Sequence, residues 1–321
     1  MGARIFLKRL FGENMRIIED KDLPMQGKSV IIIGNFDGMH KGHRSLMQEA
    51  KHVGNEYGIP VVVWTFRKHP ADFLGEHKYI SSLEEKLSFL EKEGVNGVYF
   101  ADFEKYRNFD GDEFVKNVLT SRFNAKCVVC GFNFTYGKNK SGNAETLRES
   151  LAENGVECVI LSPVYVDGEV VSSSSVKKYI TEGNVEKAEK LLGRRYSFSG
   201  VVIRGKANGR KIGFPTANIE MPLWQVTPKL GVYVSLCNVD GKEYKGVSNI
   251  GFRPTVEEEK KVLLCETYLL NQNMDLYGKE ITVSLLSMIR EERKFQDFDE
   301  LASQLKKDEN SAERFFDGWH I

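Results

Sequence analysis

Apolar and polar positions follow one rhythm in the first half of the chain and another in the second. Ser29 to Ile33 and Val61 to Phe66 are short, β-branched, continuously apolar runs that predict buried strands, and Val95 to Phe100 and Lys126 to Cys130 extend the series. Between them, Gly42 to Lys51, Leu83 to Glu93 and Gly111 to Arg122 carry apolar residues at the helical period. Strands apolar on both faces and separated by helices predict an α/β domain with a parallel sheet covered on both sides. Val176 to Leu192 is helical and charged and stops at Gly193, with Arg194 and Arg195 after it, which predicts a domain boundary.

Beyond that point strand signals dominate: Ser199 to Arg204, Gly231 to Val239, Lys242 to Ser248, Val262 to Leu270 and Ile281 to Met288. Asp240-Gly241 sits between two of these runs and predicts a tight hairpin, because glycine takes positive φ without penalty. One late helix, about Phe298 to Lys307, completes a small antiparallel β-barrel with a C-terminal helix. The expected organisation is an α/β domain over 15–185, a barrel domain over 195–321 and an extension over 1–14.

Charge changes the picture by exclusion. The 45 basic and 45 acidic residues cancel, so the excess that a general nucleic-acid binder needs to neutralise phosphate is missing. No apolar run reaches membrane-spanning length, and MGARIFLKRLFGEN at the start lacks the long apolar stretch of a secretory signal. Five scattered cysteines predict reduced thiols and a cytoplasmic protein. Cys127 and Cys130 form C-x-x-C, but on a strand residues i and i+3 face opposite sides, so two packed thiols are expected rather than a redox or zinc pair. The expected partners are small molecules, with no nucleic acid and no membrane, on a monomer or transient oligomer.

Two segments carry chemistry. Gly34 to His43 reads GNFDGMHKGH, after a buried strand and at the start of a helix. The unpaired N–H groups of a helix N-terminus attract phosphate. Gly34 and Gly38 allow close approach around Asn35, Phe36 and Asp37, and His40 and His43 can reach the phosphates. With no covalent nucleophile in view, the fitting chemistry is attack by a phosphate on the α-phosphorus of a nucleotide, with histidines and metal stabilising the leaving pyrophosphate. The second segment, Gly200 to Asn218, reads GVVIRGKANGRKIGFPTAN. Gly205, Gly209 and Gly213 alternate with Lys206, Arg210 and Lys211, a loop suited to ATP phosphates though not a Walker loop. Pro215 stiffens its exit, and Thr216 and Asn218 supply two hard oxygens for Mg²⁺.

On these residues the chain resembles the prokaryotic bifunctional riboflavin kinase/FMN adenylyltransferase (FAD synthetase) family. GNFDGMHKGH is similar to the H-x-G-H signature of its Rossmann-like nucleotidyltransferase domain. GFNFTYGKNKSG, Gly131 to Gly142, is similar to its flavin-side motif, which implies flavin contacts for Asn133, Phe134 and Tyr136. VSSSSVK, Val171 to Lys177, is similar to a Ser-Ser-Thr segment ending in Arg, which implies ATP contacts for Ser173, Ser174 and Lys177. Here Ser174 replaces Thr, Lys177 replaces Arg, and Val170 stands where an Arg often precedes.

GFPTAN resembles the riboflavin kinase motif, and GVYV, SNIGFRPT, ETYLLNQNMDLYG and IREERKF follow in family order. The resemblance implies Glu266 as catalytic carboxylate and Arg290 near the flavin, with Tyr268 in place of a usual His; Arg253 stands against ligand or in a surface salt bridge. The implied activity is phosphorylation of riboflavin to FMN and adenylylation of FMN to FAD, with ATP and Mg²⁺. A kinase with a weak or repurposed adenylyltransferase half, and a non-catalytic flavin-binding regulator, are the alternatives.

Overall fold

The computed structural model describes residues 15–73, 75, 77–205, 213–254 and 261–319. The chain divides into two compact units, the first ending at Ser172 and the second beginning at Ser173. The division falls at the start of the charged helical segment. That segment is two helices, α4 (Ser173–Glu182) and α5 (Val185–Leu192), separated at Gly183. They join the second unit because α5 packs on its sheet and Lys229 N–H donates to the Ile180 carbonyl at 3.2 Å.

In the first unit, β1 (Arg16–Ile18), β2 (Ser29–Ile33), β3 (Val61–Phe66), β4 (Gly97–Ala101), β5 (Ala125–Gly131) and β6 (Glu157–Leu161) form a parallel sheet in the order β1-β4-β3-β2-β5-β6. Val30 and Ile32 pack under α1 (Lys41–Tyr57) and α2 (Leu83–Lys92), meeting Leu46, Met47, Leu87 and Leu90. Ile31 and Ile33 face the other side, against Val115, Val118 and Leu119 and against Leu147 and Leu151 of α3 (Ala144–Glu153). Each such fully buried aliphatic side chain stabilises the fold by about 1.5–3 kcal/mol. Cys127 lies in the first of these cores and Cys130 in the second, so they do face opposite sides.

The helix after β2 runs to Tyr57, past the expected end at Lys51. Gly54 reads as a weak point in sequence, but a Cβ there would lie 2.8 Å from Val61 Cγ2, so glycine is what lets α1 lie against β3. The helix stops at Gly58, in the left-handed region at φ 64°. Gly111 to Arg122 is also only partly α-helical: residues Phe114–Thr120 form a π-helix.

In the second unit, β7 (Tyr196–Val201), β8 (Thr216–Glu220), β9 (Gly231–Val239), β10 (Lys242–Pro254), β11 (Lys261–Leu269) and β12 (Glu280–Glu291) form an antiparallel sheet in the order β7-β12-β9-β10-β11-β8. The sheet curls until Ile203, just past β7, pairs with Asn218 of β8 at the opposite edge, its N–H donating to the Asn218 carbonyl at 2.8 Å. Asp240 and Gly241 both have positive φ, which is the hairpin conformation expected. Inside, Ser235, Ser248 and Thr267 form a chain of buried hydroxyls at 2.8 Å spacing. Outside, α6 (Phe298–Asp317) lays Ala312 and Phe316 on Val232, Val234, Leu236 and Leu286. It is a full ten residues longer at its C-terminal end than the periodicity to Lys307 suggests.

Candidate active sites

Sheet topology singles out one place in the first unit. β2 and β5 are neighbours, and the chain leaves them towards opposite sides of the sheet. Ligands of open α/β sheets bind outside the carboxyl ends of the strands flanking such a reversal. The Gly34–His43 turn follows β2 and the Asn133 segment follows β5, so the two motifs meet there.

The turn is tightly determined. His40 is the N-cap of α1, its Nδ1 accepting from His43 N–H at 3.3 Å, and the two imidazoles stack at 3.6 Å with 16° between planes. Phe36 and Met39 have positive φ, 53° and 42°, although neither is glycine and both are fully buried. Such strain persists only where the surroundings hold it. Gly34 is required because a Cβ would lie 2.8 Å from Phe36 Cζ, and Gly38 because of its φ of 78° and a contact of 2.8 Å with Ile80. Asp37 Oδ1 accepts from Ile80 N–H at 2.8 Å, Gly38 N–H donates to Ser81 Oγ at 3.2 Å, and Lys86 Nζ donates to the Asn35 carbonyl at 2.8 Å. Asn35 Nδ2 also meets His69 Nε2 at 3.0 Å, and His69 stacks on His77 at 4.1 Å, whose Nε2 is 3.9 Å from Asp37.

Burial, the neighbouring His40 and the Lys86 charge hold His43 well below its ordinary pKa, so its imidazole is neutral near pH 7 and offers a hydrogen bond. Its Nδ1 is buried without a hydrogen-bond partner among the described residues. Phe36 and Asp37 turn their side chains into the protein, so what they present to a ligand is main chain.

Of the three flavin-side residues after β5, Asn133 is exposed and Phe134 is half-buried. Tyr136 is instead a core residue: it packs with Phe114, and a Cβ on Gly142 would collide with its ring. Its ring face is therefore not open in the way the sequence suggests. Ser173, Ser174 and Lys177 occupy the first turns of α4, which is grouped with the second unit.

In the second unit, β8 places Asn218 opposite Glu266 of β11, whose other neighbour is Asn249 of β10. The Thr216 side chain hydrogen-bonds to Glu266, and Asn218 Nδ2 donates to Thr216 Oγ1 at 3.3 Å. Burial raises the Glu266 pKa, Arg253 and Thr216 pull it back, and Glu292 adds to the rise. A Cβ on Gly205 would lie 2.9 Å from Asn218 Nδ2, so glycine there lets the main chain cross directly over the asparagine. Gly213 has φ of 85°, and Pro215 and Thr216 line a cleft with Val202, Thr267, Gln272 and Tyr277. Lys206 and Arg210 lie outside the described residues. Arg290 is spoken for by a carboxylate: Nη2 donates to Asp308 Oδ2 at 2.8 Å and Nε to Oδ1 at 3.0 Å.

The family model for FAD synthetase matches residues 22–175, and that for riboflavin kinase matches residues 192–316. A Bacillus subtilis (strain 168) protein described as "Bifunctional riboflavin kinase/FMN adenylyltransferase" is 35% identical over 91% of this chain and 93% of its own. An Escherichia coli (strain K12) protein with the same description is 36% identical over 91% of this chain and 94% of its own. The chain belongs to the bifunctional riboflavin kinase/FMN adenylyltransferase family. A solved structure titled "Crystal Structure of Macrolide-efflux Protein from Streptococcus pneumoniae" superposes with a TM-score of 0.84 at 32% identity, covering 96% of this chain and all of that one. Its title names transport, whereas both matching domains here are those of flavin enzymes, and among the described residues no helix is long and apolar enough to cross a membrane.

The bifunctional assignment sharpens what the sequence left unread. In the adenylyltransferase unit, Lys86, His69 and His77 brace the Gly34–His43 turn, yet none lies in a string that signals phosphate chemistry. A lysine on an amphipathic helix reads as solvated surface, and Lys86 departs from that only through burial. In the kinase unit, Glu292 of IREERKF sits so close over Gly251 that a Cβ there would meet its carboxylate.

Proposed function

We propose that FMN adenylylation takes place at the Gly34–His43 turn and riboflavin phosphorylation at Thr216, Asn218 and Glu266. The observation that carries this is the two-cluster arrangement itself: a histidine-capped helix start at the sheet reversal in one unit, and a carboxylate beside two hard oxygens in the other. In the first reaction the FMN phosphate oxygen attacks the α-phosphorus of ATP, the bond to the bridging oxygen breaks, and pyrophosphate leaves. Main-chain N–H groups of Asn35, Phe36 and Asp37 would cradle the triphosphate, Gly34 and Gly38 would let it approach closely while their own N–H groups hold the Trp64 carbonyl and Ser81 Oγ, and His40 and His43 would donate to the charge that develops on pyrophosphate. Ser173, Ser174 and Lys177 are ATP contacts by family resemblance alone, with Lys177 a point charge rather than a fork. Asn133 and Phe134 would hold the flavin.

In the second reaction the ribityl 5′-oxygen attacks the γ-phosphorus, Glu266 accepts its proton, and ADP leaves. The loop bearing Gly205, Lys206, Arg210, Gly213 and Pro215 would receive the phosphates. Thr216 and Asn218 suit Mg²⁺, which keeps few protein ligands and binds chiefly through substrate phosphates; bound there, it would neutralise charge on the transferred group. Arg290 would meet the flavin only with the N–H groups left over, since Nε and Nη2 donate to Asp308 and Nη1 to the Glu291 carbonyl. The five free thiols support a cytoplasmic, reducing setting, and we expect small-molecule partners on a monomer or transient oligomer.

Product analysis with riboflavin, ATP and Mg²⁺ tests this reading. His40→Ala should abolish FAD formation and spare FMN formation, and Glu266→Gln should do the reverse. Loss of both activities from either change, in a folded protein, would refute the two-site arrangement. FMN alone from the unaltered chain would favour the kinase-only alternative that Val170, Ser174 and Lys177 raise.

A further inference from the structure

We propose that Lys86 is a positioning residue for adenylyl transfer, its buried ammonium fixing the Asn35 carbonyl and so holding the Gly34–His43 turn in the shape that receives ATP. The inference rests on the reading of that turn as the ATP site. Lys86 lies in the first turn of α2, behind the Ser82 N-cap, and is only 6% exposed. Its Nζ reaches the carbonyls of Asn35 at 2.8 Å and Phe66 at 3.5 Å, bridging the carboxyl ends of β2 and β3.

The same short stretch of chain supplies two further ties to the turn, Ile80 N–H donating to Asp37 Oδ1 and Ser81 Oγ accepting from Gly38 N–H, while Thr65 Oγ1 also donates to the Asn35 carbonyl at 3.4 Å and His69 meets Asn35 Nδ2. These contacts lie around Phe36 and Met39, the two non-glycine residues of the turn in left-handed conformation. A turn carrying that strain keeps its shape only while neighbours over-determine it. Of Ile80, Ser81 and Lys86, only Lys86 carries a charge, opposite in sign to that of Asp37 on the turn.

Burial works against that charge and brings the Lys86 pKa down to about 8, although Asp37 draws it up. Leu87 and Leu90 of the same helix are core residues, and methionine keeps the unbranched shape of the lysine side chain without its charge. A buried ammonium directed at main-chain carbonyls is weak support for stability. It is better explained by the turn it fixes, one device of the stability–activity exchange common at active sites.

The experiment uses the full chain with Lys86→Met, Ser81→Ala and His40→Ala. FAD formation from FMN and ATP gives kcat and both KM values, riboflavin phosphorylation is the control in the same molecule, and thermal unfolding is followed for each. Lys86→Met should raise KM for ATP in adenylyl transfer at least tenfold, leave KM for FMN and riboflavin phosphorylation within twofold, and unfold no earlier than the parent. Ser81→Ala should shift KM for ATP the same way but less, which keeps the test open should Lys86→Met fold poorly. An unchanged KM for ATP in both variants, with FAD formation lost in His40→Ala, would overturn the role of Lys86 alone. Lowered stability with both KM values raised together would make Lys86 structural and overturn it equally. Undiminished FAD formation by His40→Ala would instead bring down the site assignment, and the inference with it.

Discussion

Arg290→Met separates two accounts of the same arginine. By motif it belongs near the flavin; by geometry it holds α6 to the barrel. Its side chain is 19% exposed and that of Asp308 2%, and Nε and Nη2 donate to both carboxylate oxygens at 2.8–3.1 Å. Removing one partner of a buried ion pair typically costs about 3–5 kcal/mol, because the other charge is left unpaired. Gln304 Nε2 still donates to Asp308 Oδ1 at 2.7 Å and Arg290 is not wholly buried, so the lower end, about 3 kcal/mol, is expected. For a domain of this size that lowers the midpoint by roughly 6–12 °C.

Thermal unfolding by far-UV circular dichroism measures it, with riboflavin KM determined below the transition. Arg290→Met/Asp308→Leu should recover most of the loss, since an apolar replacement of the whole pair is often neutral or better. An Arg290→Met protein that melts within about 2 °C of the parent while its riboflavin KM rises tenfold would refute the structural account.

Other expectations are briefer. Gly38→Ala combines a left-handed conformation, costing about 1–2 kcal/mol, with a contact at 2.8 Å on Ile80, so FAD formation should fall at least tenfold while FMN formation stays; kinetics of the two reactions would show it. Lys86 predicts a pH effect of known sign. Its pKa is about 8 when folded against an ordinary value of 10.5, so between those limits the unfolded chain binds more protons and stability rises with pH. Denaturant titrations of the parent minus Lys86→Met should reveal this rise, up to about 3 kcal/mol by pH 10.5, and a flat difference would contradict the burial of the charge. Cys127 and Cys130 should form no disulfide under a thiol oxidant and react with a thiol reagent only on unfolding, because they lie in separate cores and burial pushes the Cys127 thiol up to about 12.

Particular residues explain what the sequence discloses here. The alternation of Val30 and Ile32 against Ile31 and Ile33 makes the two-sided sheet legible, and Asp240-Gly241 makes its hairpin legible, because both signals are local. Sequence reasoning missed β1 and β6, edge strands of which the first has three residues, and α3, which follows directly on the Gly131–Gly142 motif. The site turn could be read because glycines and histidines at fixed spacing have few other uses. Lys86 and the Arg290–Asp308 pair could not, since their meaning depends on contacts 51 and 18 residues apart in the chain. Tyr136 misleads for a related reason: an aromatic in a ligand motif and an aromatic in a core look alike until Gly142 is seen against its ring.

The pairing of Ile203 with Asn218 has a thermodynamic corollary. A residue expected to grip nucleotide and metal is also the rivet joining the two rims of the cylinder. Whatever occupies that position ought to toughen the whole C-terminal half, by about 2.7 kcal/mol at a hundredfold excess over its dissociation constant. Starved of ligand, the same joint is where that half should first begin to part.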